Sequence, residues 1–223
     1  LYLAQQYFDI NNTMGGRLKC PLFIWYFIML LSEAQLKLNS IDKNNAPIPS
    51  RNKGGRGIWI EKQLGMKQSS QLNDFEDGEL KAFKQGQTIA VTMVKHTLDE
   101  ILESKLTYSK SKVGRKLYNV LFVKFAKSGE FVRSLTFNDE SHQELCNKLA
   151  EDYEHICKEM RNRYVNNKEL NTINGLHGLL QIRTKANKNS KGNYVPLVYN
   201  NQQLKDKAMA FYLTNKFESL LFN

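Results

Sequence analysis

The sequence holds only three Cys and four His among 223 residues. Cys20, Cys146 and Cys157 cannot all pair, and no CxxC or Cys/His spacing surrounds them. That pattern argues against a disulfide framework or zinc site and for a reducing, intracellular setting, here expected to be cytoplasmic. Long apolar runs are also scarce. The longest, residues 20–31 (CPLFIWYFIMLL), is twelve residues, where a bilayer span takes roughly twenty, so it is expected to be a buried helix. The preceding Met14-Gly-Gly-Arg-Leu-Lys has the look of a secretory leader, yet Ser32-Glu33-Ala34-Gln35 offers no cleavage site. The chain opens on Leu1 rather than Met, as a fragment would. There is no G-x-x-x-x-G-K-[ST] loop and no G-x-S-x-G, so neither ATP use nor serine hydrolysis is indicated. His96, His142, His155 and His177 show no catalytic spacing.

What the chain does have is positive charge. Lys and Arg total 32 against 22 acids, a formal net charge of +10, which points to a polyanionic partner, nucleic acid before membrane. A 41% hydrophobic and 24% charged composition suits a packed domain and excludes wholesale disorder. The charge is uneven. Residues 104–129 carry Lys105, Lys110, Lys112, Arg115, Lys116, Lys124 and Lys127 with no acid. Residues 170–205 carry Arg183, Lys185, Lys188, Lys191 and Lys205, again with none. Both blocks read as phosphate-contacting surface.

Residues 39–57, rich in Asn, Pro and Gly, form the clearest loop and set an N-terminal helical segment (1–48) apart from the rest (49–223). A short helix is expected over 58–65, stopped by a C-cap Gly. Strands are expected over 87–95 and 117–126, the latter joined to 130–137 by the Lys127-Ser128-Gly129 turn as a hairpin. Asn138 or Asp139 caps a helix whose Leu145, Leu149, Tyr153, Ile156 and Met160 fall on one stripe. Another strand covers 179–184, and a closing helix is expected from about 203 to 222. Helices interleaved with strands give an α/β or α+β class with a mixed sheet.

The acids that are present gather at Asp74, Glu76, Asp77 and Glu79, with Lys81 next. An acidic island in a basic chain suits a divalent cation poised against a phosphodiester. Mg²⁺ takes oxygen ligands, usually one or two carboxylates plus substrate phosphate oxygens, and two carboxylates from neighbouring strands can hold it. Glu79 and Lys81 are two apart and so share a strand face, while Gly78 permits a tight turn bringing an upstream Asp alongside.

Several collinear blocks carry a resemblance. Residues 53–65 (KGGRGIWIEKQLG), then Asp74-Phe75, then Gly78-Glu79-Leu80-Lys81, resemble the pattern K-G-x(6)-E-x(3)-G, D-F, G-[VI]-E-L-K of the MutH-like endonucleases. That family comprises a mismatch-repair nicking enzyme and related type II restriction enzymes that recognise GATC. Residues 115–122 (RKLYNVLF), 149–154 (LAEDYE), 177–186 (HGLLQIRTKA) and 211–217 (FYLTNKF) are similar to its H-K-L-x-x-V-L-W, L-x-x-D-W-E, H-G-x-x-L-Q-I-R-P-K-A and F-Y-L-K-K-x-F blocks. The likeness covers residues 50–222.

The resemblance implies a restriction-endonuclease-like PD-(D/E)xK core with flanking helices and a DNA-binding cleft. It also implies an active site of Glu61, Asp74, Glu79 and Lys81, with Lys116 as an auxiliary basic group. Asp74 and Glu79 would ligate Mg²⁺ and Lys81 would face the attacking water and scissile phosphate. Lys53, Arg183, Lys185 and Tyr212 fall on positions the family uses near DNA, and Lys188 lies in the same acid-free block; Tyr212 falls within the expected closing helix. The chain departs from the pattern in one respect. Only four residues separate Asp74 from Glu79 where the family has six, so the turn between them is expected to be shorter by two. Asp77 then competes for the metal by sharing the face of Glu79 and Lys81. Asp74 is preferred because Asp-Phe matches and a ligand from the opposite strand closes the site better. The expected function is a Mg²⁺-dependent, restriction-type endonuclease on double-stranded DNA, with a second copy of the chain serving a palindromic site. The alternatives are a mismatch-repair nicking enzyme and an inactive DNA-binding module.

Overall fold

In the computed structural model the described residues are 29–41, 55–66, 74–185 and 188–223. The expected helix over 20–31 falls, but for its last three residues, outside them, as does Lys53. Six α-helices, two short 3₁₀ helices and nine strands are present among the described residues, and the class is mixed α+β. No helix among them is long and apolar enough to cross a membrane.

Two helices come first, α1 (Leu31–Ser40) and α2 (Gly55–Leu64). The second begins three residues earlier than expected and stops at Gly65, whose φ of +74° is open to glycine. The Gly65 and Met66 N–H groups donate to the Lys62 and Glu61 carbonyls at 3.1 and 2.8 Å, which closes the helix end and fixes its last turn, where Glu61 sits.

The strand β1 (Glu79–Lys84) follows, then β2 (Ile89–Met93), the short helices α3 (Leu98–Leu102) and α4 (Lys112–Leu117), and β3 (Asn119–Phe125). The expected strand over 117–126 thus loses Leu117 to α4. β3 pairs in parallel with β1 and antiparallel with β4 (Phe131–Asn138), so the first sheet has the order β1-β3-β4 and contains the expected hairpin. Its central strand is covered on both faces, which explains why NVLFVKF reads as an almost unbroken apolar run. Leu121, Val123 and Phe125 face a core shared with Leu31, Ala34 and Leu38 of α1 and Ile60 and Leu64 of α2. Val120 and Phe122 face the larger core on the other side.

That larger core also takes the stripe of α5 (Asp139–Val165), with Leu145, Leu149, Tyr153, Ile156 and Met160 all buried. Asn138 caps this helix, its side chain accepting the Ser141 N–H at 3.0 Å. Short β5 (Ile173–Asn174) and β6 (Leu180–Thr184) lead to a two-stranded hairpin, β7 (Pro196–Tyr199) and β8 (Gln202–Lys207), and then to β9 (Met209–Leu213). The second sheet is antiparallel with the order β2-β9-β6-β5.

The expected closing helix from 203 is therefore wrong over its first half; only α6 (Asn215–Phe222) is helical. Ala208-Met-Ala-Phe-Tyr-Leu contains good helix formers and lacks alternation. It nonetheless pairs on both edges, with β2 and β6, and a strand buried in this way cannot be told from a buried helix by periodicity.

Candidate active site

β1 opens with Glu79 and Lys81 on the face that Phe83 continues into the larger core. Glu79 is 5% exposed. Lys81 Nζ lies 2.5 Å from its Oε1, and Lys116 Nζ, from the last turn of α4, lies 2.7 Å from the same oxygen. Parallel pairing of Glu79 with Val120 brings the end of α4 over the start of β1. The other Glu79 oxygen, Oε2, is buried and has no hydrogen-bond partner among the described residues. A buried anionic oxygen left in that state is unfavourable unless a cation or water meets it.

Asp74 is joined to this point through the backbone: its Oδ2 accepts the Leu80 N–H at 2.9 Å. It comes from a bend and not from an opposite strand, because residues 74–77 fold back through a Phe75 N–H to Gly78 carbonyl bond of 2.9 Å. Glu61 lies on α2. Its pKa is raised above the usual glutamate value by burial first and by the negative charge of Asp74 second. Asp74, Glu79, Lys81 and Lys116 thus come together at one end of β1, and Glu61 is near enough to Asp74 to feel its charge.

Asp77 does not share the Glu79–Lys81 face. The strand begins only at Glu79, and Asp77 Oδ1 accepts the Leu31 N–H, the first of α1, at 2.8 Å. An acid at that helix start meets unpaired N–H groups and the positive end of the helix. Gly78 also acts differently from expectation. Its φ is not positive; what it supplies is room, since a Cβ there would stand 2.5 Å from the Asn119 carbonyl oxygen and 2.7 Å from Leu31 Cδ1.

Apart from Lys53, which lies outside the described residues, the expected DNA-contacting residues lie on the second sheet and beyond it. Tyr212 is on β9, not on a helix, and is half-buried. Arg183 of β6 stacks its guanidinium 4.5 Å from the Tyr212 ring centre and donates to Thr88 Oγ1 at 2.6 Å. Lys185 continues the ladder past β6, its N–H bonding to the Ala208 carbonyl at 2.7 Å. Lys188 is exposed, two undescribed residues further on.

Sequence reasoning did not find Thr88, which orients Arg183, or the role of Asp152. That fully buried carboxylate accepts the N–H groups of His177, Leu179 and Leu180 at 2.5, 2.7 and 2.9 Å. His177 Nε2 meets Glu151 at 2.6 Å, and Thr214 Oγ1 donates to the Gly178 carbonyl at 2.6 Å. Three blocks distant in sequence, 149–154, 177–186 and 211–217, are tied together here. The only sequence signal was an acid on the apolar side of the α5 stripe.

Among the described residues no three His, Cys, Asp or Glu side chains converge to hold a metal by themselves. Mg²⁺ needs fewer, since waters and substrate phosphate complete its shell. The unpartnered Glu79 Oε2, with Asp74 anchored one residue away, fits such a partial site. No family model and no curated protein matches the chain.

Proposed function

We propose that this protein is a Mg²⁺-dependent endonuclease of the MutH-like kind, with a PD-(D/E)xK core built on β1 and β3. It acts as a restriction-type enzyme on double-stranded DNA, with GATC as its target by resemblance. The observation that carries this proposal is the state of Glu79: one carboxylate oxygen held by two lysines, the other buried and unpaired, with Asp74 anchored on the Leu80 N–H next to it.

Glu79 and Asp74 would hold the metal. Bound Mg²⁺ would supply charge stabilisation at the phosphodiester and a water of lowered pKa. Lys81 and Lys116 give the pocket two fixed positive charges where a phosphate oxygen gains negative charge, and groups set in place beforehand need no reorganisation during reaction. Glu61 adds a third carboxylate that accepts a proton more readily than an ordinary glutamate. Arg183, its guanidinium fixed by Tyr212 and Thr88, presents a rigid fork suited to a base edge or phosphate. Lys185 and Lys188 extend that basic surface, and Lys53 joins it by resemblance. Free, buried Cys146 and Cys157 suit a cytoplasmic setting.

A supercoiled plasmid carrying unmethylated GATC sites, incubated with the full chain and Mg²⁺, tests this. Conversion to linear DNA with Mg²⁺ and none with EDTA supports the proposal. Accumulation of open circle, above all on hemimethylated plasmid, would favour a nicking enzyme. Equal results with and without EDTA would leave a binding module.

A further inference from the structure

The β7–β8 hairpin and the loop before it bring two lysines to one aromatic ring. Its strands meet at Asn200 and Asn201, both at positive φ (48° and 60°), a two-residue turn whose twist suits a hairpin. Buried Leu197 and Tyr199 seat the arm on the body of the protein, and the Tyr199 hydroxyl donates to Glu103. Just before it, Lys188 pairs with Tyr194 across a loop that Asn189 braces, its Oδ1 accepting the Lys191 and Asn193 N–H groups at 3.0 Å each. Together, loop and arm place Lys207 Nζ 4.3 Å and Lys188 Nζ 5.4 Å from the centre of the Tyr194 ring.

Tyr194 is 44% exposed and both lysines are exposed. Neither lysine has a carboxylate partner among the described residues. The acid beside Lys207, Asp206, is committed elsewhere, its two oxygens accepting the Leu170 and Asn171 N–H groups at 2.9 and 3.1 Å. Two ammonium groups held on one ring repel each other, and the ring offsets only part of that. A phosphodiester supplies the missing negative charge, and the exposed ring supplies a surface for the sugar beside it.

We propose that Lys188, Tyr194 and Lys207 form a backbone-phosphate subsite for duplex DNA, built on elements other than those of the Glu79–Lys81 centre. It rests on the DNA-endonuclease proposal above and adds to it a grip that carries no sequence information.

Binding of the full chain to two short duplexes, one with GATC and one without, measured in EDTA over a range of NaCl concentrations, tests this. Each phosphate neutralised contributes a slope of about 0.9 in log affinity against log salt. The double variant Lys188→Gln/Lys207→Gln should lose about 1 to 2 units of slope and about tenfold in affinity at low salt, equally on both duplexes. Tyr194→Leu, with an unchanged thermal midpoint, should weaken both duplexes as well. An unchanged slope and affinity in the double variant, with the wild type binding DNA, would overturn the subsite and leave the endonuclease proposal standing. A loss confined to the GATC duplex would also overturn it. If the wild type binds neither duplex, the endonuclease proposal itself fails.

Discussion

Lys81 and Glu79, two residues apart on β1, meet in an ion pair of 2.5 Å, and the pleat of the strand is what turns their spacing into a contact. Lys116 approaches the same oxygen, so one buried carboxylate balances two ammonium groups. Breaking a buried ion pair by removing one member typically costs on the order of 3 kcal/mol. Glu79→Gln should accordingly lower stability in urea unfolding, besides any effect on cleavage. An unchanged midpoint would mean that the two lysines find other anions.

Asp74→Asn should act in the opposite direction. Asp74 and Glu61 are like charges, and the Asn side-chain oxygen can still accept the Leu80 N–H. A carboxyl whose folded pKa is raised binds protons more readily in the folded state, so its effect is to reduce stability as pH rises from the ordinary glutamate range through the raised value. Neutralising Asp74 removes the second cause of that shift while burial, the larger one, remains. The Glu61 pKa read by NMR should fall towards the usual value, and the thermal midpoint at neutral pH should rise. Adding Mg²⁺ to the wild type should lower the same pKa, because a cation favours the carboxylate. A Glu61 pKa that neither change moves would separate it from the cluster.

Gly78→Ala should damage both fold and site. Its Cβ would meet a backbone oxygen at 2.5 Å, and that oxygen belongs to Asn119 at the start of β3. Relief requires β1 and β3 to move apart where Glu79 meets Lys116. Lower stability together with lost cleavage is the expected outcome, read by thermal unfolding and the plasmid assay. Full activity in Gly78→Ala would show that the two strand starts are not fixed so closely.

Asp152→Ala should be among the most destabilising single changes in the chain. It orphans three N–H groups at once, each costing about 1–3 kcal/mol when left buried and unpaired. Asp152→Asn keeps one acceptor and should fall between the two in chemical denaturation. A loss under about 1 kcal/mol for the Ala variant would mean that water takes the place of the carboxylate.

Local pattern made much of this legible in the sequence. The period of two placed Glu79 with Lys81, residues 117–126 read as a strand joined in a hairpin to 130–137, and the α5 stripe named five residues that are all buried. What remained hidden depends on partners distant along the chain. Asp77 is drawn to the start of α1, 46 residues away, and so leaves the strand face that period two assigned to it. Tyr212 sits in a strand because β2 and β6 both offer it an edge. The meeting of Lys188 and Lys207 at Tyr194 follows from the Lys188–Tyr194 bridge and the hairpin beyond it, which neither lysine's neighbours reveal.

The central claim is that the end of β1 is a phosphodiester-cleaving centre and that the grip on DNA lies elsewhere. Single-turnover cleavage and binding of one GATC duplex, compared for the wild type and Lys81→Ala, test it most directly. The expected result is Mg²⁺-dependent cleavage by the wild type, a loss of at least about a hundredfold in the variant, and binding in EDTA within a few-fold of the wild type. Cleavage at the wild-type rate by Lys81→Ala, or equal loss of binding and cleavage, would contradict it.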